Sequence, residues 1–169
     1  MSKCDELNPI VSKALLIAVK VHGNKADRYG RPFIAHVITV GRFLEGEIAQ
    51  AAGILHDVME EDPSWDLNRF REKGFPDKLL KILDDLTKRD NEFYTHYIKR
   101  IGEDAISCYV KAHDILDNLD PRRMIQQHAR KYRAALQVVL KCLRKTDMAL
   151  YVKTSESIRL LLTDCDGRF

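Results

Sequence analysis

Apolar residues recur at spacings of three and four along most of the chain, which is the period of an α-helix with one buried face. The pattern predicts a helix from about Pro9 to Val21, a second from near Phe33, and a third over residues 47–59. Asn8 suits a helix cap, and proline suits the first helical position. No segment alternates apolar and polar residues as a half-buried strand does. The fold class is therefore predicted to be all-α.

The second half of the chain continues the helical pattern. The helix near residue 97 is expected to bury Phe93 and Tyr97, with Tyr94 facing away from the core. No internal repeat interrupts the sequence. We predict a single-domain helical bundle over residues 1–169, with its core over about 8–146. A C-terminal helix and tail follow over 147–169.

The composition is that of an ordinary soluble domain. Of the 169 residues, 45% are hydrophobic and 31% are charged, which suits a single core. The net charge of +3 is too small to favour nucleic acid, and no apolar run reaches the length of a membrane span. The four cysteines show no metal-binding spacing. We expect a cytoplasmic protein that binds a small molecule, with no nucleic-acid or membrane partner; a homodimer is left open.

One segment concentrates groups that bind metals or move protons. In GILHDVMEED, residues 53–62, five such side chains fall within seven residues. On a continuous helix His56 would share a face with Glu60, and Asp57 with Glu61. A solvated helix end is the alternative interpretation, since surface acids are common. The apolar run before His56 favours a buried position instead, where a histidine and an aspartate need partners such as a metal ion.

Two imidazoles and two carboxylates form a ligand set that suits a divalent ion such as Mn²⁺. Asp114 lies on a separate predicted helix, one turn before Asn118, and His36 lies on another, close to the core. A core histidine without a ligand role is the alternative for His36. Helical bundles build metal sites from facing helices, although spacing alone does not show that these residues converge. The candidate ligands are His36, His56, Asp57 and Asp114. The remaining histidines, at 22, 96, 113 and 128, receive no role.

Several blocks resemble a known family. GRPFIAH, LHDVMEED, LTKRDNEFYTHYI and VKAHDILDNLD occur in the order and spacing of the HD hydrolase domain of the RelA/SpoT alarmone hydrolases. GFPDKLL and RKYRAAL extend the similarity to small stand-alone HD proteins related to those enzymes. The resemblance covers about residues 10–140. It implies an HD-type helical bundle that holds one Mn²⁺ per chain through His36, His56, Asp57 and Asp114.

The resemblance also implies an activity, which is hydrolysis of the 3′-pyrophosphate of guanosine tetra- or pentaphosphate. Glu60 and Glu61 match the acidic pair that activates the attacking water. Asn118 and Tyr132 match residues beside the nucleotide. Basic groups would offset phosphate charge, and the residues assigned to this are Arg28, Lys88 and Lys111. Solvated surface charges are the alternative for these three, and core packing is the alternative for Tyr132.

The chain departs from the family pattern at several positions. Glu61 replaces an aspartate and Asp62 adds a third acid, so either carboxylate could take the second acidic role. Val37 replaces a proline after the histidine. Asp27 and Asp120 stand where the family has cations that grip phosphate. These departures keep two alternatives open: an HD phosphatase or pyrophosphatase acting on another nucleotide phosphate, and a non-catalytic nucleotide-binding module.

Overall fold

The computed structural model of the chain describes residues 8–27, 30–120 and 126–163. The chain is 74% helical, and these ranges contain no β-strand, only an isolated bridge between Ala26 and Pro32. The prediction of an all-α fold is confirmed. The helices are α1 (Pro9–His22), α2 (Phe33–Arg42), α3 (Glu47–Leu55), α4 (Val58–Glu61), α5 (Leu67–Glu72), α6 (Asp77–Leu86), α7 (Tyr94–Ile101), α8 (Ala105–Asn118), α9 (Gln126–Thr146) and α10 (Met148–Thr163).

The chain divides into two compact units, residues 1–87 and 88–169. In unit 1, α3 packs against α1, α2 and α6. The start of α1 follows the sequence prediction, because the Asn8 side chain accepts a hydrogen bond of 2.8 Å from the Ile10 backbone N–H and Pro9 occupies the first turn. Asp66 caps α5 in the same way. The organisation of both units as one domain stays a prediction.

The helix predicted over residues 47–59 is interrupted, which corrects the prediction. Helix α3 ends at Leu55, and the short helix α4 begins at Val58. Between them, the ring Nδ1–H of His56 donates to the Gly53 carbonyl oxygen over 2.8 Å. The side chain thus takes an acceptor that a continuing helix would offer to the backbone. His56 and Asp57 lie in the turn rather than on a regular helical face.

Unit 2 is built from α7 to α10, with α8 packed against α9 and α10 against both. The prediction for the start of α7 is wrong: Phe93 is 73% exposed, whereas the Tyr94 hydroxyl is buried. Helix α7 begins at Tyr94, so Phe93 precedes the helix and does not share its buried face. Tyr94 instead lies on the stripe of Ile98 and Ile101, four and seven residues on.

None of the helices in the described ranges combines the length and apolar character that a bilayer span requires. Among the described residues, Cys108 and Cys142 are free thiols.

Candidate functional site

Three of the four predicted metal ligands meet in unit 1. One donor atom from each of His36, His56 and Asp57 lies within 4.8 Å of the others. The Nε2 atoms of His56 and His36 lie 3.3 and 3.6 Å from the two carboxylate oxygens of Asp57. Both histidines are only 3% exposed, and the Asp57 side chain is 23% exposed. The cluster is therefore buried on the histidine side and reachable on the aspartate side.

The hydrogen bond of His56 fixes the chemistry of its ring. A carbonyl oxygen can only accept, so Nδ1 of His56 carries the proton that it donates to Gly53. In the neutral ring, Nε2 then holds the lone pair, and this is the atom that faces Asp57. A backbone carbonyl behind a histidine is the usual arrangement for orienting a metal-binding imidazole. The structure thus presents His56 in the tautomer that a metal requires.

Two glycines allow the histidine-bearing helices to approach closely. A Cβ atom on Gly53 of α3 would lie 2.6 Å from Leu44 Cδ1 and 3.0 Å from the Cα of Gly41, which belongs to α2. Such distances are too short for real contacts. The absence of side chains at both positions therefore permits the spacing at which the His36 and His56 rings stand 5.3 Å apart.

The donor set of this cluster fits a divalent metal ion. Imidazole nitrogen and carboxylate oxygen together suit ions such as Mn²⁺, Fe²⁺ or Zn²⁺. The separations of 3.3 and 3.6 Å between these nitrogen and oxygen atoms are longer than good hydrogen bonds. The three potential ligand atoms therefore face one another. A cation among them would turn this arrangement into an attractive one.

The acids that follow the cluster differ in their partners. The carboxylate of Glu61 accepts a hydrogen bond of 2.9 Å from Lys25, which also reaches the Glu61 backbone carbonyl. Asp62 accepts from the backbone N–H of Ser64, and its hydrogen bonds to Ser64 lower the pKa of its carboxyl group. Glu60 is exposed. The Asp62 side chain thus stabilises the turn that follows α4, and the catalytic roles of Glu60 and Glu61 stay predictions.

Sequence reasoning gave no role to His22, although it lies beside the cluster. It is fully buried and stacks on Phe33 with centroids 4.9 Å apart, and neither ring nitrogen has a hydrogen-bond partner among the described residues. Burial lowers the pKa of His22, and the Asp57 carboxylate partly opposes this. The sequence contained a signal for the position of His22, because Ala14, Ala18 and His22 are spaced by four residues and share one helix face. All three residues are buried.

Asp114, the fourth predicted ligand, belongs to unit 2 and is engaged there. Lys111 Nζ lies 2.6 Å from its Oδ2, and the Asn118 side-chain amide donates to its Oδ1 over 2.6 Å. Burial lowers the pKa of Lys111, but the Asp114 carboxylate together with Tyr97 and Tyr94 raises it by more, so the pKa lies well above its usual value. The pairing of Asp114 with Asn118 follows their predicted spacing, and its metal role stays a prediction.

Several predicted substrate residues share one electrostatic neighbourhood in unit 2, together with three that sequence reasoning did not select. Lys111 Nζ lies 5.0 Å from the ring centroid of Tyr97, and Lys131 Nζ lies 3.8 Å from that of Tyr94 and 5.9 Å from that of Tyr132. The positive charge of Lys88 acts on Lys131. We call Tyr94, Tyr97, Lys111, Lys131 and Tyr132 the tyrosine–lysine cluster. Arg28 lies outside the described residues.

The fold and the first cluster define a class: an all-α chain that carries a buried pair of histidines and an aspartate in an arrangement able to hold a metal ion. No known family model matches the chain.

The chain is similar to two curated proteins. It is 34% identical over 113 residues to the guanosine-3′,5′-bis(diphosphate) 3′-pyrophosphohydrolase of Borreliella burgdorferi, an alignment that covers 62% of this chain and 16% of that protein. It is 28% identical over 156 residues to a probable GTP pyrophosphokinase of Mycobacterium leprae, covering 83% of this chain and 19% of that protein. The chain thus spans less than a fifth of the length of either relative. These similarities suggest the RelA/SpoT family.

Proposed function

We propose that the protein is a metal-dependent phosphohydrolase that removes the 3′-pyrophosphate from guanosine tetra- or pentaphosphate. The observation that carries the proposal is the convergence of His36, His56 and Asp57 within 4.8 Å. The similarity to a protein named as a pyrophosphohydrolase of this compound supports the choice of substrate. In the proposal, His36, His56 and Asp57 hold one Mn²⁺, with Asp114 as the fourth ligand.

The proposed reaction is an attack of water on the phosphorus attached to the 3′ oxygen. The water oxygen forms the new bond to phosphorus as the bond to the 3′ oxygen breaks, which yields GDP or GTP and pyrophosphate. Glu60 accepts the proton of the water, and the 3′ oxygen leaves with a proton. A bound divalent ion supplies Lewis-acid activation of water and phosphate oxygens.

The contact of Lys25 with Glu61 has a place in this scheme. Lys25 holds both the carboxylate and the backbone carbonyl of Glu61, which fixes the end of α4 next to the cluster. Glu61 in this position orients the water through a hydrogen bond while Glu60 accepts the proton. The carboxylate of Glu61 is engaged by Lys25, so the proposal gives proton transfer to Glu60.

The test combines metal analysis with product release. The purified chain is loaded with Mn²⁺, its metal content is measured, and pyrophosphate release from guanosine tetraphosphate is followed. We expect one metal ion per chain and pyrophosphate with GDP in equal amounts. Full metal occupancy without pyrophosphate release would reject this substrate.

A second candidate is hydrolysis of another nucleotide phosphate, and the loop before α2 favours it. Asp27, which stands in place of a cation, accepts a hydrogen bond from the Arg31 backbone N–H at 3.0 Å and donates its own N–H to the Arg31 carbonyl at 2.7 Å. Asp27 therefore shapes the loop and offers no positive charge to phosphate. A panel of guanosine and adenosine phosphates separates the candidates, since hydrolysis of one of them with guanosine tetraphosphate inert favours the second.

A third candidate is nucleotide binding without turnover, and the Lys25–Glu61 contact favours it because it engages one of the two acids. Tight binding of guanosine tetraphosphate with no product under Mn²⁺, Mg²⁺ or Zn²⁺ would support this candidate.

A further inference from the structure

The hydroxyl group of Tyr94 lies in unit 2, at the start of α7. It is buried, and it has no hydrogen-bond partner within the described residues. Burial raises the pKa of Tyr94 to about 12, so the hydroxyl keeps its proton at neutral pH and can donate. A buried hydroxyl without a partner is unfavourable, because it has lost its hydrogen bonds to water. An acceptor atom of a bound molecule would supply the missing partner.

The charge around Tyr94 indicates the sign of that acceptor. Lys131 reaches over the Tyr94 ring at 3.8 Å while remaining exposed to solvent. Burial and the positive charges of Lys111 and Lys88 lower the pKa of Lys131. These lysines therefore repel one another. The only buried carboxylate among the described residues of unit 2, Asp114, is already engaged by Lys111. An anion beside Lys131 would relieve the repulsion.

We propose that Tyr94 and Lys131 form an anion-binding subsite for a phosphate group, with Tyr132 at its edge. Phosphate oxygens accept hydrogen bonds strongly, which matches a tyrosine O–H donor whose ring centroid lies 3.8 Å from an ammonium group. Tyr132 belongs to the subsite because its ring lies 5.9 Å from Lys131 Nζ. That the phosphate belongs to a guanosine polyphosphate rests on the proposed function; that the subsite binds phosphate does not.

A purely structural role for this pair makes different predictions. In that case Lys131 and Tyr94 only join α9 to α7 through a cation–π contact. Replacing Lys131 would then reduce stability, and neither substitution would change phosphate binding. The two roles can therefore be separated by measuring binding and thermal stability on the same variants.

The binding experiment uses inorganic pyrophosphate and the full chain with EDTA, so that neither a metal nor turnover contributes. Calorimetric titration at low salt compares the natural chain with Tyr94→Phe, Lys131→Met and the control Lys141→Met, which removes an exposed lysine of the same helix. We expect Lys131→Met to weaken pyrophosphate binding about tenfold and Tyr94→Phe about fivefold, as for a lost charged hydrogen bond. Lys141→Met should match the natural chain.

The melting experiment tests the buried hydroxyl separately. Without ligand, Tyr94→Phe should melt at a higher temperature than the natural chain, because it removes the unsatisfied group. With saturating pyrophosphate the natural chain should gain more stability than the variant. A lower melting temperature of ligand-free Tyr94→Phe would overturn the proposal, as would pyrophosphate affinities of both variants within twofold of the natural chain.

The outcome is distinguishable from that of the proposed function. Pyrophosphate binding that depends on Tyr94 and Lys131, with no hydrolysis of guanosine tetraphosphate, would keep the subsite and reject the hydrolase. Hydrolysis with an unchanged KM in both variants would keep the hydrolase and reject the assignment of the bound phosphate to guanosine tetraphosphate.

Discussion

Each unit of the molecule has an aspartate surrounded by nitrogen atoms, but the two environments differ. In unit 2, Asp114 has a lysine and an amide at 2.6 Å each, which satisfies its charge within the fold. In unit 1, Asp57 faces two imidazole Nε2 atoms at 3.3 and 3.6 Å. The ammonium group of Lys111 balances the charge of Asp114, whereas an imidazole balances a carboxylate only when it is protonated. Asp114 therefore has a counter-charge within its own unit in Lys111, whereas Asp57 faces imidazole nitrogens that can hold a cation beside it.

The largest expected effect comes from removing the charge of Asp57. Asp57→Asn should lower metal affinity and reduce hydrolysis about 10³-fold, since activation by a metal ion is worth several kcal/mol. Metal content and the rate of pyrophosphate release measure both effects. Asp77→Asn is the matched control, because Asp77 is 88% exposed and pairs only across 3.5 Å with Arg71. Unchanged metal content in Asp57→Asn would contradict a metal site at this cluster.

The next effect concerns the Asp114 pair. Lys111→Met leaves a buried carboxylate without its ammonium, which should reduce the free energy of unfolding by about 3 kcal/mol. Urea denaturation measures this loss. Lys81→Met is the control: Lys81 lies 2.6 Å from Asp85, the same separation as in the buried pair, but its side chain is 60% exposed. We expect a loss of less than about 1 kcal/mol there.

A double variant sharpens the interpretation of this pair. Lys111→Met with Asp114→Leu removes both charges, and it should recover most of the stability lost in the single variant. If the single and double variants lost equal amounts of unfolding free energy, the unpaired charge on Asp114 would not be the cause of the loss.

A third effect tests how unit 1 holds its histidines together. Gly53→Ala places a methyl group against Leu44 and the backbone of Gly41, which should cost about 2 kcal/mol of unfolding free energy. Metal affinity should fall about tenfold, because α2 carries His36 and α3 leads directly into His56 and Asp57. Calorimetric titration with Mn²⁺ measures the affinity.

Adding Leu44→Val to Gly53→Ala removes the Leu44 Cδ1 contact but leaves the contact with the Gly41 backbone. The loss of metal affinity should therefore persist in the double variant. Full recovery would assign the effect to Leu44 rather than to the spacing of the two helices.

The smallest effect is a pH dependence located in unit 2. His113 is buried, donates from Nδ1 to the Tyr109 carbonyl over 3.0 Å, and has a pKa lowered from 6.5 by burial. Below pH 6.5 the unfolded chain takes up a proton that folded His113 resists, so stability falls as the pH decreases. The slope from this residue is at most about 1.4 kcal/mol per pH unit. Urea denaturation between pH 5 and 7 should show a shallower slope for His113→Asn.

A His113→Asn variant with the same slope as the natural chain would assign the dependence to other groups.

Much of the fold could be predicted because helix starts and buried stripes are local features. Asn8, Pro9 and Asp66 mark their helices through contacts within three residues. The interruption at His56 could not be predicted, since it depends on a side chain that competes with the backbone for the Gly53 carbonyl. The burial of the Tyr94 hydroxyl could not be predicted either, because it depends on where α7 begins. Since α7 begins at Tyr94 and not at Phe93, Tyr94 lies on the buried face and Phe93 is exposed.

The sequence by itself determined the helical fold class, because the spacing of apolar residues is a local property of the chain. It also determined the identities of the candidate ligands and the blocks that resemble a known family, because residue types are read directly from the sequence. Only the tertiary structure decided that His36 meets His56 and Asp57, that Lys25 holds Glu61, and that Lys131 covers Tyr94. These residues lie far apart in sequence, and their distances depend on how helices pack. Packing is set by many side chains at once, including the two glycines that let α2 and α3 approach, and no local pattern encodes it.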